Sequence, residues 1–266
     1  MLVGTKELHG VKIRALDGEI GRIDEILFDD VSWTLRYLIV DTGSWLFDRK
    51  VLISPVSIGQ LDWDERTLNV NLTCDQIKDS PDVDTDKPVS RQWESDYLKY
   101  YALPYYWSGS TVWAQPSYLA PVVGQFPMDV DPFPNKDSEG PQDHADHHLR
   151  STKAVTGYGI SATDGHIGHV QDFIVDDKAW QIRYLAVDTR DWWPGKKVLL
   201  PLDWISGIAW EEKTVAIKHT REQVKEVPEW DTRESITCET EEALYQYFNN
   251  HRDLVSGSLT EKTNNQ

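Results

Sequence analysis

Cysteine and long apolar runs are scarce in this sequence of 266 residues. The two cysteines, Cys74 and Cys238, lie far apart and form no CxxC pair, so neither a zinc site nor a disulfide framework is indicated. No apolar run approaches the roughly 18 residues of a membrane-spanning helix, and the start, MLVGTKELHG, lacks the basic and apolar regions of a signal peptide. We therefore expect a cytoplasmic protein without direct membrane insertion.

Basic residues and catalytic motifs are also in short supply. The chain has 27 basic against 44 acidic residues, a net charge of −17, which repels phosphate backbones and disfavours nucleic-acid binding. It has no nucleophile elbow, P-loop or HExxH motif. The paired acids Asp29–Asp30 and Asp176–Asp177 fall where a turn between strands needs polar residues. We expect no catalytic residues, no bound cofactor and no enzyme activity.

The chain does contain a long internal repeat. RYLIVDT begins at Arg36 and RYLAVDT at Arg183, and the similarity extends to both sides at a constant offset of about 147 positions without a gap. Solenoid units are shorter, roughly 20 to 50 residues, and usually number three or more. The repeat therefore predicts a duplicated domain.

Each copy has the pattern of several short strands. A hairpin turns at Asp17–Gly18 or Asp164–Gly165, a polar break precedes the central RYL strand, and a second hairpin turns at 64–66. Close spacing without a long intervening helix favours a mainly β fold of two small antiparallel barrels, closed or nearly closed. Each barrel is followed by a helix with one aromatic stripe, SRQWESDYLKYY or TCETEEALYQYF, which favours docking of that helix on its own barrel.

The central strand is apolar on both sides. Leu38 and Val40 point one way, and Tyr37 and Ile39 point the other. Because a barrel buries only its inside, something must cover the outer face: the sister repeat, the following helix or another molecule. Ala186 replaces Ile39 in the second copy, which implies different neighbours. We hypothesise that the two barrels pack as a pseudo-twofold pair, with a homodimer as an open alternative.

The ordered motifs resemble those of a known family. The DGEIGRI and DGHIGHV hairpins, the RYL strands, the Lys-Val-Leu strand after each and the PVSRQWE sequel are similar to the PRC-barrel family. That family includes the barrel of the photosynthetic reaction centre H subunit and of a ribosome maturation factor. The resemblance implies a non-enzymatic barrel that docks to proteins. The chain lacks the membrane helix of the first relative and the separate N-terminal domain of the second, so neither specific role is carried over.

The resemblance and composition together predict five segments. They are a first barrel (1–88), a helix with an aromatic, proline-rich arm (89–133), an acidic histidine-containing tether (134–153), a second barrel (154–233) and a C-terminal helix with a polar tail (234–266). The arm either packs over a barrel or offers an adhesive surface. Residues predicted to contact a protein partner are Trp45, Trp192, Trp193, Tyr105, Tyr106, Trp107 and Trp113.

Two further sets of residues are candidates for binding or structure. His144, His147 and His148 have spacings that one helical turn would bring around Zn²⁺ or Ni²⁺, although a short polar tract favours a plain solvated tether. Arg36 with Asp41, and Arg183 with Asp188, recur in both copies as a structural ion pair or a docking contact.

Three function classes remain open from the sequence. The first is a scaffold or protein-interaction module with an unidentified protein partner. The second is a peripheral, H-subunit-like component of a membrane photosynthetic or electron-transfer complex, held through a protein because the acidic surface is repelled by anionic lipid. The third is a binder of a small ligand or metal, which requires a deep pocket with convergent polar groups.

Overall fold

The structure is a computed structural model that describes residues 1–47, 49–83, 89–103, 148–189, 196–230, 236 and 240–248. Its strands, in chain order, are β1 (Leu2–Gly4), β2 (Lys12–Arg14), β3 (Glu19–Asp29), β4 (Leu35–Asp41), β5 (Lys50–Ile53), β6 (Ile58–Asp62), β7 (Thr67–Val70), β8 (Leu149–Ser151), β9 (Gly159–Ala162), β10 (Gly165–Asp176), β11 (Gln181–Asp188), β12 (Lys197–Pro201), β13 (Ile205–Ala209) and β14 (Thr214–Ile217). Its helices are α1 (Thr5–Leu8), α2 (Cys74–Lys78), α3 (Arg91–Tyr100), α4 (Thr152–Val155), α5 (Arg221–Glu226) and residues 240–248.

The fold is mainly β, as the sequence predicted, and the described residues form two sheets of seven strands each. The first sheet has the order β5-β4-β3-β2-β7-β6, and the second has the equivalent order β12-β11-β10-β9-β14-β13. The Asp-Gly hairpins form between β2 and β3 and between β9 and β10.

The sheets differ from the predicted barrels in two respects. Within the described strands, neither sheet closes: β5 and β6 end the first order, and β12 and β13 end the second. Each sheet also contains one parallel pair, β2 with β7 and β9 with β14. Periodicity could not show this pairing, because strand alternation is the same whether the neighbour runs parallel or antiparallel.

Each sheet takes one strand from the other repeat. β8 pairs with β3 in the first sheet, with Phe28 opposite Arg150, whereas β1 pairs with β10 in the second sheet, with Val3 opposite Val175. β1 and β8 are themselves equivalent under the repeat offset. The exchange is therefore reciprocal.

The chain accordingly divides into two compact units whose bounds differ from those of the predicted segments. The described part of Glu7–Lys153, with Lys178–Gln181, forms one unit, here called the first-repeat unit. The described parts of Met1–Lys6, Ala154–Asp177 and Ile182–Gln266 form the second-repeat unit. Residues 1–6 thus leave the predicted first barrel, and residues 148–153 leave the predicted tether, because each segment completes the opposite sheet. How the two units are placed relative to each other stays a prediction.

The first-repeat unit buries both faces of its central strand β4. Leu38 and Val40 are fully buried on one face. Tyr37 and Ile39, on the other face, join a second cluster with Tyr97 and Leu98 of α3, and with Leu149 of β8. Since full burial of such a side chain contributes about 1.5–3 kcal/mol, α3 and β8 are substantial parts of this unit. The predicted cover of the outer face is thus the helix that follows the sheet, together with the exchanged strand.

The aromatic stripe of α3 docks on its own sheet as predicted. Ser90 caps the helix by accepting a hydrogen bond from the Trp93 backbone N–H at 3.2 Å. The Tyr97 hydroxyl donates to the Leu52 carbonyl at 3.2 Å and accepts from the Ser54 N–H at 3.0 Å. Burial raises the pKa of Tyr97 well above its usual value, so it stays a neutral structural group.

The helix at 240–248 docks in the same way in the second-repeat unit. Leu244 is 1% exposed, and the Phe248 ring lies 5.1 Å from that of Trp204 and 6.5 Å from that of Tyr184. The Tyr247 hydroxyl donates to the Gln223 carbonyl at 2.7 Å. Aromatic contacts therefore hold both helices.

Candidate functional site

The loop after β4 presents apolar side chains to solvent. Gly43–Leu46 form a single 3₁₀ turn, and Phe47 follows in the left-handed conformation with φ 55° and ψ 46°. The Phe47 side chain is 96% exposed, whereas Trp45 and Leu46 are partly buried. These three residues are called the apolar tip below.

The base of this loop is tightly held. The Thr42 hydroxyl donates to the Arg49 carbonyl at 2.5 Å, and Asp41 accepts from the Gly43 N–H at 2.8 Å. The Arg49 guanidinium donates to the carbonyls of Lys78 at 2.7 Å and Ser80 at 2.6 Å. Because these hydrogen bonds fix the base of the loop, the apolar tip is held in a defined position.

The left-handed conformation of Phe47 is not offset by burial of its side chain. A left-handed residue other than glycine costs roughly 1–2 kcal/mol, and an exposed ring gains no burial to offset that cost. Exposed strain of this kind points to a role outside folding. The sequence identified Trp45 as an interaction residue but missed Phe47, because exposure and backbone angle leave no mark in the hydrophobic pattern.

The second repeat has the same loop base. Thr189 binds the Lys196 carbonyl through its N–H at 3.1 Å and its hydroxyl at 2.8 Å, as Thr42 binds Arg49. Trp192 and Trp193 fall between these two residues in sequence but lie outside the described residues, as do Tyr105, Tyr106, Trp107 and Trp113. Their predicted contacts with a partner therefore stay predictions.

A buried polar cluster lies beneath α3 in the first-repeat unit. Glu94 is fully buried, and its carboxylate accepts a hydrogen bond from the Tyr37 hydroxyl at 3.1 Å. The His148 Nε2 lies 2.9 Å from Glu94 Oε2, and the Arg91 guanidinium lies 3.6 Å from the same oxygen. This cluster was missed at the sequence level, since its members come from positions 37, 91, 94 and 148 and meet only through tertiary structure.

The structure describes one of the three histidines that were considered as metal ligands. His148 is buried against Glu94, while His144 and His147 lie outside the described residues. Among the residues that the structure describes, no group of three potential ligands is close enough to hold a metal ion. The solvated-tether interpretation therefore fails for His148 itself, which packs in the first-repeat unit.

The repeated arginine–aspartate pairs do not meet. Arg36 and Asp41, like Arg183 and Asp188, are five residues apart on a strand, which places the two side chains on opposite faces roughly 16 Å apart. Arg36 donates to the Ser32 hydroxyl at 3.1 Å, and Arg183 lies 3.5 Å from Asp176. Both arginines thus have partners, Ser32 and Asp176, that lie nearer the turn preceding the strand than the aspartate five residues later does.

Asp29 is a turn former, as predicted. Its carboxylate accepts from the Ser32 N–H at 2.7 Å, the Ser32 hydroxyl at 2.8 Å and the Val31 N–H at 3.2 Å. Burial opposes ionisation, but the Ser32 hydrogen bonds and the nearby Arg36 outweigh it, so the pKa of Asp29 is lowered. Its neighbour Asp30 pairs with Arg150 of β8 at 3.0 Å.

We expect the Asp29→Asn variant to lose about 1–2 kcal/mol at neutral pH, because charge-assisted hydrogen bonds become neutral ones. A lowered folded pKa means that this stabilisation is complete above the unfolded value near 3.9 and disappears as the pH falls through the folded pKa. Urea unfolding from pH 3 to 7 measures this, with the exposed Asp41→Asn as the matched control. A difference between variant and wild type that does not shrink toward low pH would contradict the assignment.

A half-open cleft of about 570 Å³ lies beside the end of α3. Its walls carry no charged side chain; they include Leu72, Gln76, Tyr100, Tyr101 and Leu103. Both tyrosine hydroxyls donate to the Gln76 carbonyl, at 2.9 and 3.4 Å. Burial raises the pKa of Tyr101 to about 12, so this phenol stays protonated near neutral pH. The cleft therefore supplies no acid–base pair.

Comparison with known proteins finds similarity over part of the chain. A protein from Deinococcus radiodurans described as an uncharacterized protein is 32% identical over 74 residues, which are 28% of this chain. The match spans only 26% of that relative's length, and no activity is named for that protein. In the described ranges, none of the helices is both long and apolar enough to span a bilayer. The sequence model of the PRC-barrel domain family matches residues 145–224, a range that includes β8 and most of the second repeat, in agreement with the predicted resemblance.

Proposed function

We propose that this protein is a non-enzymatic scaffold that docks to a protein partner through the apolar tip of its first repeat. The observation that carries the proposal is Phe47, an aromatic residue that is 96% exposed at the end of an anchored loop. Aromatic side chains at a fixed position are typical anchors of protein interfaces. A cytoplasmic location belongs to the same proposal.

The remaining chemistry of the first-repeat unit supports docking over catalysis. Glu94 and His148, which could otherwise serve as an acid–base pair, are 0% and 5% exposed, so a substrate cannot reach them without local opening. The open cleft beside α3 has neutral walls. The match to the PRC-barrel domain also supports an interaction module.

We expect the Phe47→Asn variant to lose the partner while keeping the fold. Asparagine tolerates the left-handed conformation better than phenylalanine, so stability should change by less than about 1 kcal/mol. Loss of one buried aromatic anchor typically costs at least about 2 kcal/mol of binding, which is roughly a thirtyfold weaker complex.

The measurement is affinity capture from lysate of the source organism by the intact chain and by variants, with mass spectrometry of the captured proteins. Val31→Ser is the matched control, because Val31 is 83% exposed but lies on a different loop. A protein retained by wild type and Val31→Ser but lost by the tip variant supports the proposal. A partner retained by the tip variant but lost on deletion of 102–133 would transfer the function to the aromatic arm. Capture of membrane photosynthetic or electron-transfer subunits would favour the H-subunit-like alternative.

A further inference from the structure

The exchanged strand β8 is held mainly by side chains. It pairs with β3 over only three residues. Leu149 enters the apolar cluster, Arg150 pairs with Asp30 at 3.0 Å, and the Ser151 hydroxyl donates to Glu25. His148, immediately before the strand, adds the contact with Glu94 of α3 at 2.9 Å. Side-chain contacts therefore decide whether this short strand stays in the sheet.

His148 differs in kind from the other groups around it. The ionisable or charged groups that face the cluster from the neighbouring elements are Asp29 of β3, Asp30 after it, Arg36 and Tyr37 of β4, Arg91 and Glu94 of α3, and Arg150 of β8. Carboxylates, guanidinium groups and phenols ordinarily keep one charge state between pH 5 and 8, whereas an imidazole ordinarily changes its charge there. His148 is therefore the member suited to respond to pH near neutrality.

The duplicated unit shows that the histidine is an addition to a shared framework. Under the repeat offset, Tyr37 and Glu94 correspond to Tyr184 and Glu241, but His148 corresponds to Met1. Glu241 is exposed, unlike the fully buried Glu94. The equivalent strand β1 thus enters its sheet without a histidine–carboxylate contact.

We propose that His148 is a pH-sensitive latch. When the imidazole carries its proton, its ion pair with Glu94 holds β8 against α3 and β3; when the proton is lost, the hold weakens and the edge of β3 at 27–29 opens more often. This latch is a property of the fold and does not depend on the apolar tip being the docking site.

The direction of the response follows from proton linkage. A His148 freed by opening meets water and loses its proton near pH 6.5. In the closed state the Glu94 carboxylate at 2.9 Å favours the protonated form, and the latch requires this attraction to exceed the opposing effects of burial and of Arg91. The closed state then binds more protons than the open state above that pH. The latch is therefore fully effective below about pH 6.5 and is lost as the pH rises, with an opening constant that grows up to tenfold per pH unit across the window.

Hydrogen exchange of the full-length chain, followed by mass spectrometry from pH 5.5 to 8.5, tests the latch. After correction for the intrinsic exchange rate, we expect protection of the amides in 149–151 to fall at least tenfold between pH 6 and 8. The peptide containing β7 is the internal control, since β7 lies in the same unit and neither it nor its partners β2 and β6 contain a histidine. Its corrected protection should stay constant.

Two variants separate the latch from a purely structural contact. His148→Gln keeps a hydrogen-bond donor but cannot take a charge, so protection of 149–151 should be low and independent of pH. Glu94→Gln should likewise abolish the pH response, while unchanged protection of β7, in the same unit, would show that the variants remain folded. Protection of 149–151 that is independent of pH in wild type, or an unchanged pH response in His148→Gln, would overturn the proposal.

Discussion

Replacing Gly21 by alanine is expected to destabilise the first-repeat unit by about 3 kcal/mol or more. A Cβ atom at this position would lie 2.0 Å from the Asp41 carbonyl oxygen and 2.9 Å from the Thr42 Cα. These atoms belong to the backbone at the end of the neighbouring strand β4, so a change of side-chain rotamer cannot move them away. Overpacking a core typically lowers the free energy of unfolding by about 1–3 kcal/mol. We expect a clash with backbone atoms to lower it by about 3 kcal/mol or more. Because small domains are stable by about 5–15 kcal/mol, this loss is large.

The same construction recurs in the second repeat. A Cβ on Gly168 would lie 2.0 Å from the Asp188 carbonyl oxygen, and its φ of +145° also disfavours other residues. The repeated DGxxG pattern thus has a steric cause: its last glycine allows β3 to cross against β4, and β10 against β11.

Urea unfolding of Gly21→Ala beside Gly59→Ala measures the effect. A Cβ on Gly59 meets only ordinary contacts at 3.4 Å, so its replacement should change the free energy of unfolding by less than about 1 kcal/mol. Equal unfolding midpoints for the two variants would refute the steric explanation of the motif.

Much of the fold could be predicted because the relevant information is local. Strand alternation, the Asp17–Gly18 turn and the aromatic spacing of α3 each follow from a few neighbouring residues. The reciprocal exchange could not be predicted, because Leu2–Gly4 lies at the start of the first repeat and Leu149–Ser151 lies in the polar tract assigned to the tether. Only the match of a strand with a distant sheet edge decides where such a segment pairs.

The candidate site was predicted less well than the fold. Trp45 was identified by its residue type, but the exposure of Phe47 depends on the left-handed turn and the Arg49 contacts that fix the loop. His148 was assigned to a tether because its immediate neighbours in sequence are polar. In the structure His148 is buried in contact with Glu94, which lies 54 positions earlier in the chain. The local composition around His148 does not reveal a contact over that distance in sequence.

Cutting the chain between residues 128 and 129 is expected to give two fragments that are unstable alone and associate when mixed. Fragment 1–128 carries β1 but lacks the β8 that completes its own sheet, and fragment 129–266 carries β8 but lacks β1. Each fragment therefore leaves the edge of a long strand unpaired and uncovers apolar residues such as Leu27. An unpaired, apolar strand edge favours pairing with another chain.

The exchanged strand also provides a sharp variant for this experiment. Val3 is 3% exposed and pairs with Val175, so Val3→Asp in fragment 1–128 removes an apolar contact and buries a charge. Loss of the valine burial alone contributes about 1.5–3 kcal/mol, which weakens association by roughly 10- to 150-fold. Leu16→Asp is the matched control in the same fragment, because Leu16 is 69% exposed.

Circular dichroism of each fragment and titration calorimetry of the mixture decide between two physical accounts of the duplication. If the exchange couples the repeats, the fragments gain structure on mixing, Leu16→Asp binds as wild type does, and Val3→Asp binds far more weakly. Two fragments that fold cooperatively alone and give no heat on mixing would mean that each repeat is complete without the borrowed strand. In that case the duplication would serve to supply a second docking loop, with Trp192 and Trp193 in the place of Trp45 and Leu46, and the strand exchange would contribute little to stability.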